Sequence, residues 1–221
     1  MIMNKYIILY SKLNEKQKKF ISNLQDVTIG KDNIFIKNEA TEHTFEKIIL
    51  FLFKERTLFY SFDIIDRLLN QLLEHNLKIS TAESVTGGKL SDIIVNQEGV
   101  SKIFNGSIVA YSKKSKENVL KINEKLIDEY GSVSLEVSRA MAEKLKNHFK
   151  SNIYISTTGY AGPTGRDVGN IYVTIIINDK KYNFNWRLEG KRNDIRKSII
   201  TYIFIMLEKL LKKGDLIYKN I

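Results

Sequence analysis

The stretch that decides the fold class is LKISTAESVTGG, residues 77–88. Its first half, Leu77–Ala82, predicts a short strand that runs directly into a polar turn. Two glycines then lead into a predicted helix from Gly88 to Asn96, whose apolar residues recur at helical spacing. A strand that passes through a short turn into a helix is typical of α/β proteins.

Helices and strands alternate on both sides of this stretch. We predict helices at 62–76, 112–130, 134–145 and 194–212, and strands at 106–111, 152–158, 170–177 and 181–188. The last two strands are predicted to form a hairpin around Asn178-Asp179. Together these elements predict an α/β fold with a mixed β-sheet flanked by helices.

The N-terminal part, residues 1–60, is predicted to form a small α/β appendage on the main domain, residues 61–221. Its predicted elements are strands at 5–10, 26–29 and 33–37 and helices at 14–24 and 41–53. A unit this small is only marginally stable alone, so we expect it to pack on the main domain.

Composition limits the class of protein. Hydrophobic residues make up 43% of the chain, which is enough for a substantial core. No apolar run reaches the roughly 20 residues of a membrane span, and no signal-peptide pattern is present. The absence of cysteine excludes disulfides and thiolate chemistry and agrees with a cytoplasmic location.

The net charge of +10 raises the question of nucleic-acid binding. Much of the excess lies in residues 180–221, which carry eleven Lys and Arg against four Asp and Glu. The sequence contains no RNP, zinc-finger or helix-turn-helix motif. We therefore predict neither a nucleic acid nor a membrane as a partner.

Ser84 lies in the polar turn before the predicted helix. Free N–H groups at the start of a helix bind negative charge. The amides of Thr86, Gly87 and Gly88 are therefore candidates to stabilise an oxyanion while Ser84 attacks a carbonyl. The alternative is that Ser84 or Thr86 only caps the helix.

Tyr111 ends the next predicted strand, and Lys113, Lys114 and Lys116 follow at the start of a predicted helix. Serine hydrolases without a histidine can use a lysine, or a lysine–tyrosine pair, as the base. Such a lysine must be kept partly neutral by burial or by a neighbouring cation. The alternative is that Tyr111 belongs to the core and the lysines to a solvated face.

A glycine-rich loop, Gly159–Gly169, follows another predicted strand and contains the single proline, Pro163. Glycines let several backbone N–H groups approach a phosphate. The loop is not a P-loop, because the Gly-Lys-Ser/Thr ending is missing. The alternative is a plain connection between two strands.

Histidine and metal chemistry find little support in the sequence. His43, His75 and His148 are the three histidines, and none lies near these clusters. The chain has neither a His-x-x-x-His pattern nor paired carboxylates. We therefore predict neither a metal centre nor a cofactor.

Taken together, six motifs resemble the CinA C-terminal domain family, which includes the nicotinamide-mononucleotide (NMN) deamidases. They occur in the family's order over about 150 residues. The motifs are Thr81-Ala82-Glu83-Ser84-x-Thr86-Gly87-Gly88, Val109-Ala110-Tyr111-Ser112 with Lys116, Tyr130-Gly131-x-Val133-Ser134, Thr158-Gly159-x-Ala161-Gly162-Pro163, Val168-Gly169-x-Ile171-Tyr172 and Gly190-x-Arg192-x-x-Ile195-Arg196.

The resemblance implies hydrolysis of the carboxamide of NMN to nicotinate mononucleotide and ammonia, in pyridine-nucleotide salvage. Carried over by position, it implies Ser84 as the nucleophile, with Tyr111 and Lys116 activating it or managing the proton. It also implies Arg192, together with Arg196, as the phosphate ligand. The implied substrate-binding residues are Glu83, Thr86, Gly87, Gly88, Thr158, Gly159, Ala161, Gly162, Arg192 and Arg196.

The chain departs from the family at three places. Val85 replaces the usual cysteine, and Lys191 replaces the acid that usually precedes the arginine of the last motif. The loop between Gly162 and Val168 is shorter than is typical and lacks a Lys-Pro pair, for which Arg166 is the candidate replacement. Residues 1–60 resemble a small KH-like linker domain without its Gly-x-x-Gly clamp.

Two other functions stay open at this point. A catalytically weak nucleotide-binding protein fits the shortened loop, and a nucleic-acid-associated protein fits the positive charge and the family's link to competence. The resemblance also implies a homo-oligomer, most simply a dimer.

Overall fold

The structure is a computed structural model that describes residues 5–37, 42–164 and 167–213. The strands of these ranges are β1 (Lys5–Leu9), β2 (Val27–Ile29), β3 (Asn33–Ile36), β4 (Phe59–Tyr60), β5 (Ile79–Glu83), β6 (Phe104–Val109), β7 (Ile153–Gly159), β8 (Asn170–Ile177) and β9 (Lys180–Arg187). The α-helices are α1 (Glu15–Ser22), α2 (Glu42–Lys54), α3 (Phe62–Glu74), α4 (Lys89–Val95), α5 (Lys113–Asn118), α6 (Glu124–Tyr130), α7 (Leu135–Leu145) and α8 (Arg192–Lys213). One turn of 3₁₀ helix covers Val100–Lys102.

A five-stranded sheet in the order β6-β5-β7-β8-β9 forms the main domain. Its strands β6, β5 and β7 are parallel, while β8 and β9 form an antiparallel hairpin. Asn178 and Asp179 at the hairpin turn both have positive φ, as a two-residue turn between twisted strands requires. This arrangement confirms the predicted mixed sheet, and it brings the carboxyl ends of β5, β6 and β7 to one edge.

A second sheet, antiparallel in the order β2-β3-β1-β4, belongs to the N-terminal part. Strand β4 was not predicted, because two residues are too few to show an alternating pattern. The predicted helix at 41–53 is observed as α2, and its expected first residue, Thr41, lies outside the described residues.

Helix α8 joins the two sheets through one continuous apolar core. The helix is buried on nearly all sides, as its apolar composition predicts. The hydroxyl of Tyr202 on α8 donates a hydrogen bond to the carbonyl oxygen of Thr57, at 2.9 Å. A smaller apolar cluster, which includes Val137 and Met141 of α7, lies on the other face of the main sheet. The N-terminal part therefore packs on the rest of the chain.

The helical stretch predicted for 112–130 is observed as two short helices, α5 and α6. Helix α5 ends at Asn118, and Lys121 then takes a positive φ of 56°, which a helix cannot accommodate. Asn123 starts α6 by accepting a hydrogen bond from the N–H of Lys125. None of the helices in the described ranges is long and apolar enough to cross a membrane.

Candidate active site

A cavity of about 240 Å³ lies at the carboxyl edge of β5, β6 and β7. Open α/β sheets place their ligand sites at this edge. The residues that line the cavity are Ser84, Val85, Tyr111, Lys116, Ser132, Val133, Gly159, Tyr160, Ala161, Thr164 and Arg192.

Ser84 and Lys116 form a buried pair in this cavity. The Nζ atom of Lys116 donates a hydrogen bond to Ser84 Oγ at 3.0 Å. Lys116 is 1% exposed and Ser84 is 6% exposed. Burial lowers the pKa of Lys116 from its ordinary 10.5 to about 8, because an ammonium group loses its hydration there. A substantial neutral fraction near pH 8 equips Lys116 to take a proton from Ser84.

The local sequence explains how Lys116 reaches the cavity. Ser112 caps α5: its side chain accepts from the N–H of Ser115, whose hydroxyl in turn accepts from the N–H of Ser112. Lys116 lies one turn into this helix and points inward, whereas Lys114 is exposed. The alternative of a wholly solvated lysine face therefore does not hold for Lys116. Tyr111 is 60% exposed and lies at the cavity, so it is not a core residue either.

The turn that carries Ser84 is tied to the neighbouring strand β7. The N–H of Ser84 donates to the carbonyl oxygen of Thr157 at 2.9 Å. The hydroxyls of Thr86 and Thr157 are 2.7 Å apart and share a hydrogen bond. The N-cap residue of α4 is Gly88, and no N-cap side chain bonds the helix start. Neither Ser84 nor Thr86 therefore serves as the helix cap.

Glu83 lies outside the cavity, and its side chain binds the free N–H groups at the start of α4. It is fully buried, and its carboxylate accepts hydrogen bonds from the N–H groups of Gly88, Leu90 and Ser91, at 2.8–3.1 Å. The hydroxyl of Ser91 donates to the same carboxylate. The expected anion at the start of α4 is thus the chain's own carboxylate, and the Gly88 amide is not available to a substrate. The structure does not bring Glu83 and Gly88 to the cavity.

Arg196 also lies outside the cavity. It lies behind the turn of residues 84–88 that carries Ser84, which we call the serine turn. Its Nε atom donates to the carbonyl oxygen of Val85 at 3.1 Å, and Nη2 donates to the carbonyl oxygen of Thr86. A side chain at Gly87 would meet the same guanidinium, and Gly87 has a positive φ of 57°. Arg196 therefore holds the backbone of the serine turn, and a phosphate role is not supported by its position. Thr86 and Gly87 lie in this turn without lining the cavity.

Arg192 and Tyr111 meet at the cavity wall. Arg192 Nη2 donates to the Tyr111 hydroxyl at 2.8 Å, and Nη1 donates to the carbonyl oxygen of Gly162 at 2.7 Å. One guanidinium thus connects the start of α8, the end of β6 and the glycine-rich loop. Gly162 contributes its backbone to this contact and is not itself a lining residue.

The glycine-rich loop supplies another side of the cavity through Gly159 and Ala161. A Cβ atom at Gly159 would lie 2.7 Å from the carbonyl oxygen of Asn170, so only glycine fits there. Thr158 is fully buried, and its hydroxyl donates to the carbonyl oxygen of Ser132 at 3.1 Å. Thr158 therefore positions the segment of Ser132 without lining the cavity.

Sequence reasoning did not assign five of the lining residues to the site: Ser132, Val133, Val85, Tyr160 and Thr164. The motif Tyr130-Gly131-x-Val133-Ser134 was a usable signal for the first two, because it marks a loop before a helix. Arg166, the candidate replacement for a missing cation, lies outside the described residues. Those residues contain no group of three or more His, Asp or Glu side chains arranged to hold a metal ion.

The fold and the buried pair define the class: a mixed-sheet α/β protein with a serine and a lysine at the carboxyl edge of its parallel strands. The sequence model of the CinA C-terminal domain matches residues 62–211. The chain belongs to the CinA C-terminal domain family.

Relatives and solved structures agree with this family. A relative from Alkaliphilus oremlandii is 43% identical over 142 residues, which cover 62% of this chain and 34% of the relative. A CinA-like protein from Dictyoglomus turgidum is 41% identical over 150 residues, covering 66% of this chain and 36% of that protein. The chain thus matches about a third of the length of these curated relatives.

Among solved structures, the competence/damage inducible protein CihA from Agrobacterium tumefaciens is 25% identical, with a TM-score of 0.64 over 67% of this chain and 93% of that one. A CinA superfamily protein from Klebsiella pneumoniae has a TM-score of 0.66 at 21% identity, over 68% of this chain and 97% of that one. The latter likeness shows the fold alone.

Proposed function

We propose that this chain is an amidohydrolase that converts NMN to nicotinate mononucleotide and ammonia. The observation that carries the proposal is the contact between Lys116 Nζ and Ser84 Oγ, with burial that lowers the pKa of Lys116 to about 8. A serine activated by a partly neutral lysine is suited to acyl transfer from an amide. The amide of NMN as the substrate rests on the family resemblance and on the arginine at the cavity.

The reaction proceeds in two halves. Neutral Lys116 takes the proton of Ser84 as Oγ attacks the carboxamide carbon, which gives a tetrahedral oxyanion. The C–N bond then breaks, and the leaving nitrogen receives the proton from Lys116 and departs as ammonia. A water molecule next gives a proton to Lys116 and attacks the ester at Ser84. The Ser84 oxygen takes that proton back as the acid leaves, so the net reaction consumes one water.

Val85 is the candidate oxyanion donor. Val85 follows Ser84 directly and lines the cavity, and its N–H donates to no acceptor within the described ranges. A backbone N–H held in this way stabilises the negative charge that develops on the carbonyl oxygen. Arg196 holds the adjacent carbonyl group of Val85, so the turn keeps its shape as the charge forms.

Arg192 is the candidate phosphate ligand. It lines the cavity and uses two of the five N–H donors of a guanidinium on Gly162 and Tyr111. The remaining donors are available to phosphate oxygens. Tyr111, held by Arg192, lies close enough to the cavity to contact the substrate or to assist the proton transfer.

The test measures ammonia released from NMN by the wild type, Ser84→Ala and Ser101→Ala. Ser101 is exposed and outside the cavity, so its variant controls for the loss of a hydroxyl. We expect equal release by wild type and Ser101→Ala, and a loss of at least about a thousandfold in Ser84→Ala. NMN binding without release by the wild type would instead indicate a nucleotide-binding protein. Equal release by wild type and Ser84→Ala would refute the role of Ser84.

A further inference from the structure

A second groove lies where the four-stranded sheet faces α4 and the start of α8. Its volume is about 210 Å³, close to that of the Ser84 cavity. The two cavities share no lining residue. Clefts between packed units of a chain are common places for small-molecule sites.

The floor of this groove is apolar and aromatic. Ile8 on β1 is the antiparallel partner of Tyr60 on β4, so both side chains lie on the same face of the sheet. The ring of Phe62 stands edge-on to that of Tyr60, with centroids 4.6 Å apart. Phe62 is 57% exposed and Ile8 is 36% exposed. Large side chains left open beside each other suit a flat ring.

The hydroxyl of Tyr60 is the second observation that points to a ligand. Tyr60 is 5% exposed and lines the groove. Its hydroxyl makes no hydrogen bond to any residue that the structure describes. Buried tyrosine hydroxyls normally have a partner. This hydroxyl is not among the fully enclosed polar atoms that lack a partner, so it is open to solvent beside the groove.

Two lysines and two further polar side chains surround the floor. Lys89 on α4 and Lys197 on α8 form no ion pair with any carboxylate in the described ranges. The Nζ atom of Lys197 lies 5.3 Å from the centre of the Tyr10 ring. Asp92 on α4 and Asn96, which directly follows this helix, come after Lys89 at one-turn spacing and also line the groove. The groove thus combines cations, a carboxylate and an amide above an aromatic floor.

We propose that this groove binds a ligand of the mononucleotide class, an aromatic base on a sugar phosphate. The base packs on Ile8 and Phe62, and the phosphate lies between Lys89 and Lys197. Asp92 and Asn96 accept from sugar hydroxyls or the amino groups of the base, as acidic residues do in other nucleotide sites. The hydroxyl of Tyr60 completes its hydrogen bonding with the ligand. This site is separate from the proposed amidase site and does not depend on it.

The test titrates isotope-labelled protein with AMP, GMP, CMP and UMP and follows the backbone amide resonances. We expect at least one of these nucleotides to shift the amides of Tyr60, Ile93 and Asn96 in a saturable way. The double variant Lys89→Ala/Lys197→Ala should weaken that binding by about tenfold. The matched control Lys102→Ala/Lys150→Ala removes the same charge from exposed positions outside the groove and should bind like the wild type.

Two further measurements separate the contribution of the Tyr60 hydroxyl from that of the phosphate. Tyr60→Phe keeps the ring, removes the hydroxyl and should weaken binding by about threefold or more. The unphosphorylated nucleoside of the best ligand should bind about tenfold more weakly than the nucleotide. The proposal is overturned if no nucleotide shifts the groove amides up to millimolar concentration, if both double variants lose binding equally, or if nucleoside and nucleotide bind equally well.

Discussion

The carboxylate of Glu83 accepts hydrogen bonds from the N–H of Gly88 and from two further amides, so the start of α4 beside Ser84 holds a buried acidic side chain. This arrangement fixes the direction in which the chain leaves β5. Because Ser84 is the next residue, Glu83 acts on the candidate nucleophile by positioning it.

Glu83→Gln tests this positioning role. An amide replaces one oxygen by a donor, which then faces N–H donors, so we expect the free energy of unfolding to fall by about 2 kcal/mol. The turn that carries Ser84 should also lose its exact geometry, and kcat should fall by about tenfold. Urea unfolding and steady-state kinetics measure the two effects. Glu98→Gln, at an exposed position, is the control, and equal behaviour of the two variants would contradict the account.

Arg196→Ala should lower kcat and leave KM for NMN within about twofold. The guanidinium holds the carbonyl groups of Val85 and Thr86 and does not line the cavity, so its loss disturbs the serine turn without removing a substrate contact. Steady-state kinetics on NMN separate the two parameters. A large rise in KM with unchanged kcat would show that Arg196 binds substrate after all.

Arg192→Ala should have the opposite kinetic signature, because Arg192 lines the cavity. We expect KM for NMN to rise by about tenfold or more as the phosphate contact is lost. Nicotinamide riboside, which lacks the phosphate, should show a much smaller change. Arg139→Ala, at an exposed position, controls for the lost charge. Equal losses on both substrates would contradict a phosphate role.

The pH profile of kcat/KM should follow the neutral form of Lys116. Burial lowers the pKa of this residue to about 8, so activity rises with pH up to that value and levels off above it. Lys116→Met should abolish this rise of activity with pH and lower kcat by about a hundredfold or more. Lys114→Met, an exposed lysine on the same helix, should keep the wild-type profile. A profile that is flat between pH 6 and 9 in the wild type would contradict the role of Lys116 as the base.

Lys116→Met should also change stability in a pH-dependent way. The pKa of Lys116 is about 8 in the folded chain and 10.5 unperturbed, so the unfolded chain binds more protons between these values. The cost of burying the ammonium is therefore complete below pH 8 and disappears as pH rises to about 10.5. We expect the variant to be more stable than the wild type by about 2 kcal/mol at pH 7, with a smaller gain at pH 10.5. A gain independent of pH, or a loss at pH 7, would contradict this.

The strand ends that surround the cavity were predictable because polar, glycine-rich residues directly follow apolar runs. Ser84 and Tyr111 were placed on this basis, and the structure brings both to one cavity with Lys116. The contacts made by the side chains of Glu83 and Arg196 were not predictable. A carboxylate next to a serine fits a substrate contact as well as a helix start, and only the packed helix decides between them.

Arg192 and Arg196 illustrate the same limit. The two residues are one helical turn apart and belong to one sequence motif. One guanidinium reaches the cavity wall, and the other reaches the back of the serine turn. Sequence spacing places them on the same side of α8. The path of the neighbouring loops, which the spacing does not encode, determines what each one contacts.

Covalent labelling during turnover tests the central claim most directly. Wild-type protein and Ser84→Ala are mixed with excess NMN at pH 8, quenched in acid, digested and analysed by mass spectrometry, while ammonia is measured in parallel. The account predicts an acyl group derived from NMN on the peptide that contains Ser84 in the wild type. It predicts neither an adduct nor ammonia from Ser84→Ala. Release of ammonia by Ser84→Ala at the wild-type rate would contradict the account.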